Sequence, residues 1–249
     1  MRPVEQVEEV RGLVEDGLND GEIARRTGIP LSTVRKWRTG RRRRSRSADC
    51  AACGHRYDEL PPKTYSYLLG VYLGDGHIAH AARGVYVLRI YCTLMHANIW
   101  WEIAQAIDDV RPDKRSHLRP HPRHGLLIVS SYWKHWPCLF PQHGTGRKHE
   151  RLIALTPWQQ QIVNAHPEQL LRGLIHSDGW RGVNRVRKGD RRYAYSRYMF
   201  VNESADIRDL FCRTCDAIGV EWRQMNRNTI SVARRDSVAR LDEFIGPKS

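Results

Sequence analysis

Asp75 and Asp178 stand 103 positions apart, and each closes a stretch of the same form. The two stretches read Leu68-Leu69-Gly70-Val71-Tyr72-Leu73-Gly74-Asp75-Gly76 and Leu171-Arg172-Gly173-Leu174-Ile175-His176-Ser177-Asp178-Gly179. Small residues four apart, Gly70 with Gly74 and Gly173 with Ser177, share one helix face where two backbones can approach closely. Membrane helix pairs use the same spacing. A carboxylate in the last turn of a helix faces the negative end of its dipole, an unfavourable position. Its presence in both stretches calls for a compensating positive charge, and a divalent cation supplies one. Two aspartates at the ends of paired helices would hold Mg²⁺ or Mn²⁺, hard cations that prefer oxygen. Such ions activate water and stabilise the leaving oxygen in phosphodiester hydrolysis. Reading both as structural Asp-Gly turns leaves the repetition to be explained separately. Gly76 and Gly179 are expected to cap the helices.

The elements that must position these carboxylates repeat as well. After each Asp-Gly come a basic turn and a β-patterned run, residues 85–91 in the first copy and 198–201 in the second. A helix follows at 98–107 and at 205–218, then a strand at 126–129 and at 229–232, then a last helix at 132–140 and at 237–244. The order αββαββα, twice, predicts an α+β fold with two antiparallel sheets. Residues 156–166 read as a helix connecting the halves. Cys212 and Cys215 fall on the buried face of a predicted helix and read as small buried thiols.

Residues 4–38 form a separate helical unit. Val7, Val10, Leu13 and Val14 recur at helical spacing and Gly17 breaks the run. A second helix covers 20–26 with Ile23 and Ala24 inward, Thr27-Gly28-Ile29 turns, and a third helix capped by Ser or Thr starts near Ser32. The stretch 17–29 resembles the resolvase and homeodomain-like helix-turn-helix family. That resemblance implies that the helix from Ser32 to Arg38 enters the major groove, with Ser32, Thr33, Arg35 and Lys36 facing bases or phosphates. Arg41, Arg42, Arg43 and Arg44 follow as a block too charged to pack, suited to phosphates or a minor groove. Cys50-Ala51-Ala52-Cys53-Gly54-His55 has the form of half a zinc knuckle, with Cys50 and Cys53 as ligands and His55 or another His as a third; the partner half of a Zn²⁺ site is not evident.

The chain has 249 residues, 41% of them hydrophobic, enough for a real core. Its net charge of +14 fits a partner with a phosphate backbone better than a small metabolite. No apolar run reaches the length of a membrane span, and the charged start is unlike a secretory leader. A cytoplasmic, nucleoid-associated protein is therefore expected, with its six cysteines as thiols or metal ligands.

Residues 64–249 resemble a LAGLIDADG homing endonuclease in its single-chain, two-motif form. The resemblance implies a duplicated αββαββα fold whose paired sheets form a saddle over double-stranded DNA. It implies that Asp75 and Asp178 are the catalytic metal ligands. It also makes Lys148, in Gly146-Arg147-Lys148, and Lys248, in Gly246-Pro247-Lys248, the basic residues that organise the active-site water. Arg89, Tyr91, Arg119, Arg185, Arg187, Arg197 and Arg223 alternate on the strands and are candidates for phosphate or base contact. His176 and Ser177 depart from the usual motif without removing a metal ligand. No splicing residues frame the chain, which fits a free-standing nuclease better than an intein. The expected organisation is a helix-turn-helix domain at 1–40, a basic linker at 41–63, and repeats at 64–155 and 156–249, acting as a monomer with internal pseudo-twofold symmetry. The alternative is a non-cleaving transcriptional regulator of the WhiA type, which also combines a LAGLIDADG-like domain with a helix-turn-helix. Two features weigh against it: both aspartates persist, and the helix-turn-helix precedes the repeats where in that type it follows. An RNA-maturase role needs only the same basic surface.

Overall fold

The computed structural model describes residues 4–38, 57–121 and 125–246, in two compact units divided between the first and second of these segments. The first unit holds α1 (Val4–Glu15), α2 (Asp20–Thr27) and α3 (Leu31–Arg38) around Val10, Leu13, Ile23, Ile29 and Val34. Asn19 accepts from the backbone of Gly21 and Glu22 while Glu22 accepts from Asn19, a reciprocal cap that starts α2. Gly28 ends α2 at φ +68°, a left-handed conformation that costs a glycine little. The third helix starts one residue earlier than expected. The Pro30 carbonyl receives the Thr33 and Val34 amides, so Ser32 lies within the first turn and is not its cap.

The second unit repeats one order of elements. The first copy runs α4 (Pro62–Asp75), β1 (Gly76–His80), β2 (Tyr86–Thr93), α5 (Ala97–Val110), β3 (His117–Pro120), β4 (Leu126–Trp133) and α6 (Trp136–Leu139). After α7 (Pro157–Ala165) the second runs α8 (Pro167–Asp178), β5 (Gly179–Lys188), β6 (Arg191–Val201), α9 (Ala205–Ala217), β7 (Arg223–Asn226), β8 (Thr229–Val232) and α10 (Arg235–Asp242). Each copy builds an open, four-stranded antiparallel sheet, in the orders β1-β2-β4-β3 and β5-β6-β8-β7. The α+β class and the doubled αββαββα order are as the sequence predicts.

Some boundaries differ. The expected helix at 132–140 is strand through Trp133, where two aromatic residues suit a pleated surface, and only one turn of helix precedes Phe140. The basic turn expected after Asp178 is the ten-residue strand β5. The helix expected at 237–244 is α10, starting at Arg235.

α4 is apolar all round, with Tyr65 through Leu73 buried without a break, and so takes the centre of the unit. One continuous core joins both copies through α4 and α8, taking in Leu88 and Ile90 of one sheet and Tyr198 and Phe200 of the other. Cys212 and Cys215 are buried in it, where desolvation pushes both thiols up, Cys212 to about 12. No helix among the described residues is long and apolar enough to cross a membrane.

Candidate active site

α4 and α8 touch backbone to backbone. A Cβ built on Gly70 would stand 2.4 Å from the Leu170 carbonyl oxygen and 2.9 Å from the Leu174 nitrogen. One built on Gly173 would stand 2.2 Å from the Tyr67 carbonyl oxygen and 2.8 Å from the Val71 nitrogen. These contacts exchange when 103 is added or subtracted, so the helices cross on a local twofold axis and their carboxyl ends lie side by side. One turn further on, a Cβ on Gly74 would meet Ser177 Oγ at 2.1 Å and Asp178 Oδ2 at 3.1 Å. The Ser177 hydroxyl donates back to the carbonyls of Gly173 and Leu174, both at 3.0 Å, so it brings no unsatisfied donor to the crossing. His176, unusual for the motif, is buried and ties α8 to α4 and to the segment after α10: Nε2 donates to the Ile245 carbonyl at 2.9 Å and Nδ1 accepts from the Tyr67 hydroxyl at 3.0 Å.

Gly76 and Gly179 are not left-handed caps. Both have extended backbone, φ −78° and −100°. Glycine is needed there for space: a Cβ on Gly76 would lie 2.5 Å from Tyr72 Cα, and one on Gly179 2.6 Å from Ile175 Cα. The chain turns directly from helix into the first strand of each sheet, which holds Asp75 and Asp178, both half-buried, at the helix–sheet junction.

Lys148 reaches this junction from a one-turn helix at Lys148–Glu150. Its ammonium donates to the carbonyls of Tyr72, Leu73 and Gly74 at 2.6, 3.0 and 2.6 Å, closing the end of α4. Burial pulls its pKa down to about 8, against the opposing pull of the Asp178 and Asp75 carboxylates. One cation therefore feels both aspartates, across the two copies. Arg151 steadies the preceding loop by donating to the carbonyls of Gly144, Thr145 and Gly146. Tyr72, His77, His143, Arg147, Lys148 and Arg151 border a cavity of about 330 Å³ on the first copy. Burial, then the neighbouring cations, hold His77 below its ordinary pKa. Burial, then Arg151 and His77, does the same for His143.

Sequence reasoning missed Asn202, just past β6. Its Nδ2 donates to Asp178 Oδ2 at 2.6 Å, and its Oδ1 accepts from the Ser204 amide at 2.8 Å. A lone Asn at a strand end carries no sequence signal. In the first copy the corresponding position is Cys92, two residues beyond the strand partner of Gly76, as Asn202 is two beyond the partner of Gly179. Burial and then the Asp75 charge push the Cys92 thiol up to about 12, so it stays protonated.

Among the described residues no group of three or more His, Cys, Asp or Glu side chains could hold a metal ion. Two carboxylates are what the junction offers. That donor set fits a hard cation such as Mg²⁺ or Mn²⁺, which commonly takes one or two carboxylates and completes its shell with water and substrate phosphates.

Strand register separates the candidate basic residues. Arg89 lies in one cross-strand row with His77, Ser130 and His117, and Tyr91 in the next with Ile128 and Arg119, all on the face away from Leu88 and Ile90. Arg197 and Arg223 share the corresponding face of the second sheet with Trp180 and Met199. Arg185 and Arg187 do not join them. They pair with Ala194 and Arg192 on the opposite face of the hairpin, where β6 has no third strand beside it. In the first unit Ser32 and Arg35 are exposed and Thr33 is half-buried, while Arg35 and Arg38 pair with Asp20 at 3.7 and 3.0 Å. Lys248, Arg41, Arg42, Arg43, Arg44, Cys50, Cys53 and His55, and the side chain of Lys36, lie outside the described residues.

No protein-family model matches the chain, and no curated protein sequence matches it. Solved structures do. The LAGLIDADG meganuclease I-AabMI bound to uncleaved DNA is 10% identical, with a TM-score of 0.47 over 72% of this chain and 82% of that one. The N-terminal LAGLIDADG domain of DUF199/WhiA is 11% identical, with a TM-score of 0.48 over 78% and 87%. I-DmoI in complex with DNA and Mn is 13% identical, with a TM-score of 0.47 over 75% and 98%.

Proposed function

We propose that the chain is a site-specific endonuclease that hydrolyses both strands of double-stranded DNA with a divalent metal, in the manner of the LAGLIDADG homing endonucleases its repeats resemble. One observation carries this reading: two aspartates end two helices that cross on a local twofold axis, and the Lys148 ammonium closes the end of the helix that finishes in Asp75. Asp75 and Asp178 would hold Mg²⁺ or Mn²⁺, which when bound supplies an activated water and stabilises the leaving oxygen. Lys148 fixes the end of α4 and keeps positive charge where a phosphodiester must approach the two carboxylates. Lys248 is assigned the same role in the second copy. Arg89, Arg119, Arg197 and Arg223 track the backbone or read base edges from the outward sheet faces.

In this reading residues 1–40 form a helix-turn-helix that extends recognition through Ser32, Thr33, Arg35 and Lys36. The linker at 41–63 lays Arg41 to Arg44 along DNA, and repeats at 64–155 and 156–249 do the cutting. Both copies lie in one chain, so a monomer suffices.

A second reading, a non-cleaving DNA-binding regulator, is favoured by Lys148 itself, since an ammonium bound to helix carbonyls beside both aspartates compensates them without any metal. Incubation with a plasmid library carrying candidate flanking DNA, with and without Mg²⁺, separates the two. The nuclease reading expects linear product that vanishes for Asp75→Asn and Asp178→Asn while DNA binding persists. Tight binding with no metal-dependent scission leaves the regulator.

A further inference from the structure

We infer that the β5–β6 arm carries, on the face turned away from the outward sheet surface, a contact for the phosphate backbone of a second DNA duplex, an assignment that rests on the outward faces taking the first. β8 pairs with β6 only from Tyr198 to Val201, so residues 182–188 and 191–197 form a two-stranded ribbon beyond the sheet. Register fixes which residues share each of its faces. Gly182 with Arg197, and Asn184 with Tyr195, continue the outward row of Trp180 and Met199. Val183 with Ser196, Arg185 with Ala194, and Arg187 with Arg192 continue the row of Arg181 and Tyr198 on the other face.

Charge balance changes along that other face. At its base Arg181 grips Asp242, and elsewhere in the second copy Arg227 meets Glu203. Beyond Arg181 the carboxylates stop. Arg185, Arg187 and Arg192 are all exposed, and none has an ion pair among the described residues. Arg187 Nε donates to the Gly189 carbonyl at 3.1 Å, which leaves its charge unmatched. Arg187 and Arg192 stand directly opposite each other, an arrangement that destabilises a hairpin. The tip, Arg187-Lys188-Gly189-Asp190-Arg191-Arg192, holds four cations to one carboxylate. One such cation would already keep the ribbon from pairing with another edge. Two opposed arginines exceed that need, and a polyanion offsets their cost. Alternate residues on a strand advance about 6.8 Å and opposed residues lie about 5 Å apart, so the three arginines make one compact triangle. A cluster of that density neutralises neighbouring phosphates and releases the counterions condensed on a duplex. No aromatic side chain lies on this face to stack unpaired bases. Tyr193 and Tyr195 stack on each other, 6.0 Å apart and 7° from parallel, on the outward one. A duplex therefore fits the triangle better than a single strand.

Sedimentation of the full chain with excess fluorescent duplex of random sequence, in metal-free buffer, counts duplexes per chain. The variant combining Arg185→Gln, Arg187→Gln and Arg192→Gln should carry one duplex fewer than wild type and hold the first with unchanged affinity. Replacing the same three by Lys should restore the count, because a phosphate contact needs the charge and not the guanidinium plane. With a single arginine replaced, the salt slope of the second binding step should fall by about 0.9. Equal counts in wild type and the triple Gln variant overturn the inference. So does weakened binding of the first duplex in that variant, which would make the two faces serve one duplex. Single-stranded DNA that displaces the second duplex better than unlabelled duplex does overturns the choice of partner. Arg192→Gln should unfold no earlier than wild type in a thermal melt. An earlier midpoint would make the opposed arginines a support of the fold and overturn their assignment to a ligand. Wild type that carries no duplex sinks the DNA-binding reading itself and this inference with it.

Discussion

Gly70 and Gly173 meet across the helix crossing so closely that a Cβ on either would stand 3.0 Å from the other's Cα. The atoms that such a Cβ meets first belong to the backbone, which cannot rotate aside as a side chain can. Gly70→Ala or Gly173→Ala should therefore lower the unfolding free energy by about 3 kcal/mol, the upper end for overpacking. Urea denaturation with an unchanged slope measures it. A midpoint equal to wild type would mean the helices do not cross at this pair.

Lys148→Met should weaken the junction from one side only. It removes three hydrogen bonds from a charged donor to the end of α4, and it also removes the cost of burying that charge. A net loss of about 1–3 kcal/mol is expected, and the proposed nuclease reading further expects metal-dependent cleavage to be abolished with DNA affinity largely kept. Thermal unfolding and a gel-shift titration report the two effects separately. Cleavage at the wild-type rate would remove Lys148 from the chemistry.

In the second copy β5 is tied to the last element, α10, by Arg181, which grips Asp242 with two bonds of 2.6 and 2.7 Å, while the Tyr198 hydroxyl donates to the same carboxylate at 2.5 Å. The Arg181 guanidinium, first of all, holds the Asp242 carboxyl below its ordinary range. A depressed folded-state pKa contributes stability at and above the unfolded value, near 4, and loses it as pH falls further. Asp242→Asn should be less stable than wild type at pH 7, and the gap should narrow below about pH 4. A gap that stays constant between pH 7 and pH 3 would dissociate this pair from stability.

Tyr67→Phe tests the buried histidine. His176 donates from Nε2 to Ile245, so in its neutral form Nδ1 must accept, and Tyr67 is its donor. Removing that hydroxyl leaves a buried acceptor unmatched and should cost about 1–2 kcal/mol. His176→Leu together with Tyr67→Phe should recover part of the loss, because both polar partners then go. A double-mutant cycle in urea gives the coupling, and a coupling near zero would deny the bond.

The core elements were legible because their burial is one-sided or complete. α5 shows a single apolar stripe, and β2 alternates from Leu88 to Thr93, so periodicity marks them. Asp75 and Asp178 were legible because the same unfavourable position occurs twice. β5 was not: most of it pairs with β6 where β6 has no third strand beside it, so no face is selected for apolar residues and no period of two develops. The same gap explains why Arg185 and Arg187 could not be assigned a face from sequence. The reason for Gly76 and Gly179 was hidden too, since a glycine kept for space and one kept for a left-handed φ look alike in a sequence. Asn202 and the partners of His176 were invisible because each contact joins residues at least 24 positions apart with no repeated pattern.

The offset between the copies is not constant. It is 103 at the helix crossing, where Gly70 matches Gly173, and 110 at the strand partners of the junction glycines, where Ile90 matches Phe200. All seven extra residues fall in the second hairpin, beyond the junction and away from the crossing. The twofold hub is thus in register while one arm is longer than the other. Hairpin tips are therefore the part of this molecule that can be exchanged, shortened or extended while the spacing of Asp75 and Asp178 is left untouched.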